Sequence, residues 1–275
     1  MRKLLAASFS RLWKEKIFWF VFLIMSIGSV CYNWIGYNEI IKIQIFVEDV
    51  IFCMLPTSGF VFALFISMRL GTEFEEHTIR NKLIVGYSRT QVYFSEYITC
   101  MVASMILMGI MLLLSTLFGL FLSLEFQSTC NELALLLSCC MLTASVFSAM
   151  FVGISMNVGN KAGSLVALII FLFVIILPAS ICINALAEAP MVYADVVITA
   201  ENGIQFGDLI ENRAYIDGTQ RTIYELIADI LPTGQTIQLN NLEFGRATRW
   251  PLFSAITLII TTFIGYLSFR KRDVR

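Results

Sequence analysis

The sequence predicts an all-α polytopic membrane protein with six transmembrane helices. Hydrophobic residues make up 58% of the 275-residue chain and charged residues only 14%, and the mean hydropathy is +0.79. Ordinary soluble domains carry fewer apolar and many more charged residues. Apolar runs of roughly 18 residues or more recur along the chain, and a run of that length lets a helix cross a bilayer. The runs are continuous rather than alternating, which excludes a transmembrane β-barrel.

The apolar runs and the basic residues between them predict the topology. We place the spans at about Ile17–Ile35, Val50–Met68, Ile98–Leu124, Leu133–Met156, Ser164–Leu186 and Leu252–Phe269. With both termini inside, the inner segments carry 14 Lys and Arg residues and the outer segments carry 5. Asp and Glu divide the other way, 6 inside and 14 outside. Because Lys and Arg are enriched in cytoplasmic loops, we expect a multi-pass plasma-membrane protein with cytoplasmic termini.

Residues Met1–Lys16 have the pattern of a helix that lies on the membrane surface. Apolar residues recur at helical spacing, at Leu5, Phe9, Leu12 and Trp13. Basic residues supply charge for lipid headgroups, at Arg2, Lys3, Lys14 and Lys16. These features predict an interfacial helix over residues 1–16. A basic flank that only orients the first span is the alternative.

The long charged stretch Gly71–Tyr97 lies between two apolar segments on the predicted inner side. Thr72 with Glu75, and Ser88 with Gln91, both fit the capping-box pattern that begins a helix. The stretch therefore predicts two helix starts within 27 residues.

Gly86 lies between the two boxes, where a left-handed C-terminal cap belongs. We therefore predict a helix over about Glu73–Val85, a sharp turn, and a second helix that enters the membrane. Two acid–base pairs at i,i+4 spacing support the first helix, Glu73–His77 and Glu76–Arg80. A solvated juxtamembrane loop and a helix that docks on a separate motor protein are both consistent with this pattern.

The spans offer few polar features. Within the predicted bounds they lack ionisable side chains, which argues against an ion-coupled carrier. Pro56 and Pro178 interrupt the second and fifth spans and are candidate hinges, or merely tolerated kinks. Ala149 and Gly153 form a small-xxx-small step that allows close helix approach in the fourth span.

Residues Glu188–Trp250 form the largest polar segment, on the predicted outer side. Thr222 with Glu225 fits another capping box, before an amphipathic stripe that ends at Pro232. The following residues, TGQTIQLNNL, indicate a second short helix or a turn. We expect residues 188–250 to pack as short helices over the outer mouth of the spans, like a lid.

The chain lacks the residues of a catalytic or metal site. His77 is the single histidine, and the seven cysteines show neither a disulfide framework nor metal-binding spacing. Glu75, Glu76 and Glu96 flank basic residues, so structural ion pairing is a better interpretation than acid–base chemistry. We therefore predict no catalytic, cofactor-binding or metal-binding residues, and an intramembrane enzyme is disfavoured.

The stretch EEHTIRNKLIVGYSRTQVYFSEY resembles the segment after the second span of ABC type-2 transporter permeases. The matching positions are Glu75 or Glu76, Thr78, Leu83, Ser88 and Arg89. Two positions depart from the family pattern, because His77 stands where glycine is usual and Glu96 where lysine is common. The six-span layout, the amphipathic N-terminal helix, the large outer segment and the basic tail FRKRDVR are also similar.

The resemblance implies the transmembrane permease subunit of a bacterial ABC exporter. The chain has no GxxxxGK[ST] motif, so ATP and Mg²⁺ would bind to two copies of a separate ABC ATPase. A second permease chain would complete a homodimer or heterodimer in the lipid bilayer, and no nucleic acid is implied. The residues implied to couple to the ATPase are Glu73, Glu75, Glu76, Thr78, Arg80, Leu83, Ser88 and Arg89.

In this family arrangement, Glu73–Val85 would be the principal coupling helix and Asn157–Ala162 a minor contact. The apolar spans suggest a hydrophobic or amphipathic substrate such as a peptide, a lipid or a drug. A membrane immunity or sensor protein that binds an antimicrobial peptide without transporting it is the alternative function.

Overall fold

The computed structural model describes residues 1–40, 45–193, 196–199, 203–206 and 208–272, and most of them are helical. The helices are α1 (Arg2–Leu12), α2 (Lys16–Ile40), α3 (Val47–Phe52), α4 (Leu55–Glu75), α5 (Thr78–Ile84), α6 (Arg89–Phe121), α7 (Cys130–Val158), α8 (Lys161–Ala187), α9 (Gly218–Ile230), α10 (Pro232–Asn240) and α11 (Trp250–Lys271). A 3₁₀-helix covers Phe244–Arg249. Four short strands follow α8, β1 (Met191–Tyr193), β2 (Val196–Thr199), β3 (Gly203–Phe206) and β4 (Leu209–Glu211).

The six predicted spans are confirmed. Six helical segments within the described residues are long and apolar enough to cross a bilayer, and each contains one predicted span or most of it. The second segment consists of two helices, α3 and α4, that are interrupted at Cys53 and Met54. Pro56 lies in the first turn of α4, where its missing N–H costs no helical hydrogen bond. Pro178 instead lies inside the continuous helix α8.

Helix α7 is the centre of the bundle, and α4, α6, α8 and α11 pack around it. Stacked rings of Phe147 and Phe151 lie in its buried face, and Phe62 of α4 meets Phe147 at 6.3 Å between ring centroids. Gly153 faces Gly265 of α11, and a Cβ added at Gly153 would lie 3.3 Å from Cα of Gly265, whereas one added at Gly265 would lie 2.9 Å from Cα of Gly153. The glycine in the predicted small-residue step therefore allows close helix approach.

The helix starts were predicted with mixed success. Ser88 and Gln91 form the predicted capping box at the start of α6, and Gly86 has the left-handed conformation at φ +101°. The box at Thr72 is wrong, because Thr72 lies inside α4 and its Oγ1 donates to the carbonyl of Met68. Within a helix, a threonine hydroxyl bonds the preceding turn as readily as it caps.

The predicted helix over Glu73–Val85 is wrong at its start. Helix α4 continues to Glu75, the chain turns at His77 with φ 53°, and α5 then covers Thr78–Ile84. The turn separates Glu73 from His77, and Glu73 forms ion pairs with other residues. It also leaves Glu76 and His77 exposed at the bend.

The large segment after α8 contains strands as well as the expected short helices. β1 pairs with β4 and β2 with β3, both antiparallel. The capping box at Thr222 is wrong, because α9 begins at Gly218 and the side chain of Asp217 accepts from its N–H. Pro232 ends α9 as expected, and α10 begins there and packs against α4, α7 and α8.

Candidate functional site

Four elements meet at the end of the bundle that holds α1, which we call the α1 end. The turn after α4 reverses the chain, so that α5 folds back beside the start of α6. Helix α1 packs against the same part of α6. Charged residues from all four helices therefore converge here, together with one from the connection between α1 and α2.

Six charged side chains form a cluster at this junction, and the cluster contains three cations and three carboxylates. Its members are Arg11 of α1, Glu15 of the following connection, Arg69 and Glu73 of α4, Lys82 of α5 and Glu96 of α6. We call this set the junction cluster. The balance of charge is what allows so many ionised groups to leave water together.

Glu96 is the most deeply buried carboxylate of the junction cluster, at 0% exposure. Its Oε2 accepts from Nη1 of Arg69 at 3.0 Å, and its Oε1 accepts from Nζ of Lys82 at 2.7 Å. The hydroxyl of Ser8 on α1 donates to the same Oε1 at 3.1 Å. Glu96 thus connects three other helices to α6.

Glu73 is the second carboxylate that joins several elements. Its Oε1 accepts from Nη1 of Arg11 at 2.6 Å, and its Oε2 accepts from Nζ of Lys82 at 2.9 Å. Lys82 therefore donates to both Glu73 and Glu96, with its side chain only 12% exposed. Charge-assisted hydrogen bonds of this kind are stronger than neutral ones, so α5 is held to α4 and α6 through one ammonium group.

Glu15 completes the junction cluster beside Arg69. Its Oε2 lies 3.2 Å from Nε of Arg69, in a direction that makes no hydrogen bond. Burial raises the pKa of Glu15, and the nearby Arg69 lowers it by a smaller amount. The carboxylates of the cluster face cations, and within the described ranges no three His, Cys, Asp or Glu side chains are arranged to hold a metal ion.

The predicted coupling residues separate into buried and exposed groups. Glu73 is buried in the junction cluster, and Leu83 packs against the core. Ser88 caps α6, as described above. Glu76 and Arg80 are exposed, and Thr78 is half-buried. Only the exposed members are free to meet a partner in this conformation.

Glu75 and Arg89 make contacts with later parts of the chain. Glu75 forms an ion pair with Lys161 at 2.7 Å, which links the end of α4 to the start of α8. Nη1 of Arg89 donates to backbone carbonyls at the end of α11, including those of Phe269 and Arg270 at 3.5 and 3.3 Å. Arg89 therefore ties the third span to the sixth.

Sequence reasoning missed several residues of this site. The sequence assigns no role to Arg11, Glu15, Arg69 or Lys82. It predicts ion pairing for Glu96, which is confirmed, but not its burial. The available signal was the i,i+4 spacing of Arg69 and Glu73 at the end of an apolar run, which places both on one helix face. The sequence also assigns no role to Ile84 and Val85, which the structure leaves 71% and 76% exposed at the tip of α5.

A shallow groove lies between α1 and α5 on the outside of the junction cluster. Its volume is about 330 Å³, and it is lined by Lys3, Leu4, Ala7, Arg11, Thr78, Asn81, Lys82, Val85 and Tyr87. Three cations and several apolar side chains share this surface. The groove and the tip of α5 together present a mixed basic and apolar face at the α1 end.

A second polar cluster lies at the opposite end, around α10. Oδ1 of Asp229 accepts from Nε1 of Trp250 at 3.1 Å and from Nε of Arg246 at 3.3 Å. Oε1 of Gln235 accepts from Thr143 at 3.1 Å and from Ser254 at 2.9 Å. These bonds connect α9 and α10 to the fourth and sixth spans.

Comparison with known families decides the class of this membrane protein. The family described as ABC-2 family transporter protein matches residues 4–180, which is more than half of the chain. The chain belongs to the ABC-2 transporter family. No curated protein matched the sequence.

Membership gives the site its context. An ABC-2 permease is the transmembrane subunit of a transporter that works with an ABC ATPase, and it is not itself catalytic. The family match includes most of α1, all of α2 to α7 and most of α8, so every residue of the junction cluster lies within it. The segment with α9, α10 and α11 follows the matched region.

Proposed function

We propose that this ABC-2 permease is half of an exporter whose power stroke is received by α5 and α1 and passed to the spans through the junction cluster. In this proposal both termini are cytoplasmic and two copies of a separate ATPase bind at the α1 end. The second permease chain lies beside this one in the bilayer. The substrate is hydrophobic or amphipathic.

The observation that carries the proposal is the position of Lys82. It is the only described cation of α5 that reaches both α4 and α6, through Glu73 and Glu96. A push on α5 therefore moves two spans at once, because the ammonium–carboxylate bonds are short and shielded from water. A loosely attached loop would absorb the same push without moving the spans.

The exposed surface of α5 supports ATPase docking. Arg80 and Ile84 are exposed on this short helix and Val85 directly after it, and the groove beside α1 extends the surface. Exposed apolar residues next to cations are typical of a surface that is covered in a complex. The ATPase would bind this face and shift the equilibrium between inward-open and outward-open states.

The substrate class follows from the faces that the spans present. Helices α2, α8 and α11 expose mainly large apolar side chains along their lengths. A strongly charged solute would find few partners on these faces, whereas a peptide, lipid or drug with apolar parts would fit. Transport then depends on rearrangement of the spans rather than on binding at an ionised site.

The test uses an ABC ATPase of the same genome, identified by its GxxxxGK[ST] motif, produced together with the chain and reconstituted in vesicles. Arg80→Glu should reduce co-purification and permease-stimulated ATP hydrolysis by about tenfold, since it reverses a charge in a docking surface. Arg213→Glu changes an equally exposed arginine far from α5 along the chain and should leave both unchanged. Arg89 is unsuitable for this test, because it holds the end of α11.

Two results would contradict the proposal. The first is full ATPase stimulation by Arg80→Glu together with Ile84→Asp. The second is a chain that protects cells from a membrane-active peptide without any ATPase, which would indicate the binding-only alternative. A protease site placed before Met1 checks orientation independently, and it should be cut in inverted vesicles but not in intact cells.

A further inference from the structure

A groove lies between α7, α8 and α11 near the α1 end. Its volume is about 390 Å³, within the range of roughly 300–1,000 Å³ that is typical of small-molecule sites. Its lining residues are Met150, Gly153, Ile154, Asn157, Val158, Phe171, Thr261, Ile264, Gly265 and Ser268. Gly153 and Gly265 form part of its wall, at the point where α7 and α11 pack closely.

The polar atoms in the wall of the groove already have partners inside the protein. Nδ2 of Asn157 donates to the carbonyl of Gly153 at 2.7 Å, and its Oδ1 accepts from Oγ of Ser268 at 2.8 Å. Oγ1 of Thr261 donates to the carbonyl of Thr257 at 2.7 Å. The groove therefore presents a chemically apolar surface, which suits a hydrocarbon chain better than a polar solute.

The end of α11 adds positive charge at the mouth of the groove. Arg270 and Lys271 are exposed in the last turn, and Lys271 lies three residues after the groove residue Ser268, on the same face of α11. Arg272 follows them, and its guanidinium donates to the carbonyls of Met156 and Val158, beside the groove. Within the described residues, none of these three cations forms an ion pair with a carboxylate. The last three residues of the sequence contain one acid, Asp273, and one further arginine, Arg275.

We propose that this groove binds an anionic phospholipid of the leaflet that faces the end of α11. One acyl chain would lie between Ile154, Phe171 and Ile264, and the phosphate would meet Lys271, with Arg270 adding positive charge in the same turn. Basic pockets between transmembrane helices bind anionic headgroups in this way. The inference does not depend on transport or on its direction.

The test titrates the full-length, delipidated chain in detergent with phosphatidylglycerol or phosphatidylcholine of equal chain length, followed by native mass spectrometry. Phosphatidylglycerol should bind at least about tenfold more tightly, because the two exposed cations favour an anionic headgroup. Ile264→Trp fills the groove and should weaken both lipids. Ile259→Trp is the matched control, since Ile259 is 66% exposed on the same helix and lies outside the groove.

A charge variant separates headgroup binding from folding. Arg270→Gln with Lys271→Gln should remove most of the preference for phosphatidylglycerol and leave phosphatidylcholine binding as it was. Equal binding of the two lipids to the wild-type chain would overturn the proposal. So would unchanged lipid binding by Ile264→Trp, or a change in oligomeric state caused by that variant, since the groove would then be a contact between chains.

Discussion

Replacing Lys82 with methionine removes one cation from the junction cluster and preserves most of its apolar stem. Two carboxylates, Glu73 and Glu96, then lose the ammonium group that lies 2.9 and 2.7 Å from them. Both are almost completely buried, with side chains 3% and 0% exposed. The cluster is left with three negative and two positive charges, and the unbalanced charge falls on two buried carboxylates.

The expected loss of stability is about 3–5 kcal/mol, the usual cost of removing one partner from a buried ion pair. For a chain of this size, 1 kcal/mol corresponds to roughly 2–4 °C in melting temperature, so the variant should melt about 6–20 °C below the wild type. Lys161→Met is the matched control. Its ion pair with Glu75 is just as short, at 2.7 Å, but the two side chains are 40% and 48% exposed, so the expected loss is below about 1 kcal/mol.

A second substitution tests whether charge imbalance is the cause. In the variant Lys82→Met with Glu96→Gln, charge is balanced again, and the contacts of Arg11 with Glu73 and of Arg69 with Glu15 remain. We expect this double variant to recover at least about half of the lost stability, a coupling that a double-mutant cycle measures directly. Thermal unfolding of the purified chain, followed by size-exclusion chromatography, provides the assay.

The double variant also separates stability from function. Its α5 is no longer bonded to Glu96 of α6, so we expect it to fold and to bind the ATPase but to lose transport. Melting of Lys82→Met within about 2 °C of the wild type would refute the reasoning, because such a shift corresponds to no more than about 1 kcal/mol. A double variant that is less stable than the single variant would refute it as well.

Three further substitutions test local features of the same region. Gly71→Ala should destabilise by about 1–3 kcal/mol, because the new Cβ would lie 2.6 Å from Cα of Lys161, and an unchanged melting temperature would exclude this close approach. His77→Gly should stabilise by about 1 kcal/mol, because glycine adopts the left-handed conformation of this turn without steric cost, and a loss of stability would contradict this account. Glu15→Gln tests the raised pKa of a buried carboxyl group. Because the pKa of Glu15 is raised in the folded chain, its protonated carboxyl group favours folding at a pH below the ordinary pKa near 4.5, and this contribution is lost as the pH rises. The melting temperature of the wild type, relative to that of Glu15→Gln, should therefore fall between acidic and neutral pH.

The parts of the fold that depend on local sequence were predictable. Span positions follow from continuous apolar runs, and the box at Ser88 follows from two side chains that bond each other's backbone across one turn. Thr72 with Glu75 and Thr222 with Glu225 fit the same capping-box pattern, but both pairs lie inside helices that begin earlier in the chain. A capping motif therefore identifies a start only where the preceding residue is already outside a helix, and the tertiary structure decides this.

The junction cluster was not predictable for a different reason. Its members are spread from Arg11 to Glu96, and a charged residue next to a span is ordinarily solvated. Their burial depends on the bend at His77, which returns Lys82 to Glu73, and on the packing of α1 against α6. Neither event leaves a pattern in the order of charges along the chain.

The two departures from the family pattern become intelligible in this light. Position 77 has a left-handed backbone, which explains why glycine is usual there and shows that this chain accepts some strain with histidine. At position 96, where lysine is common, this chain has a carboxylate that receives Arg69 and Lys82. A lysine at position 96 would lie beside Arg69 and Lys82, and these three cations would have no carboxylate between them. A chain with lysine at this position therefore requires different side chains on α4 and α5. The fold therefore depends on a balance of positive and negative charges between α5 and the spans, and not on the identity of any single residue in the junction cluster.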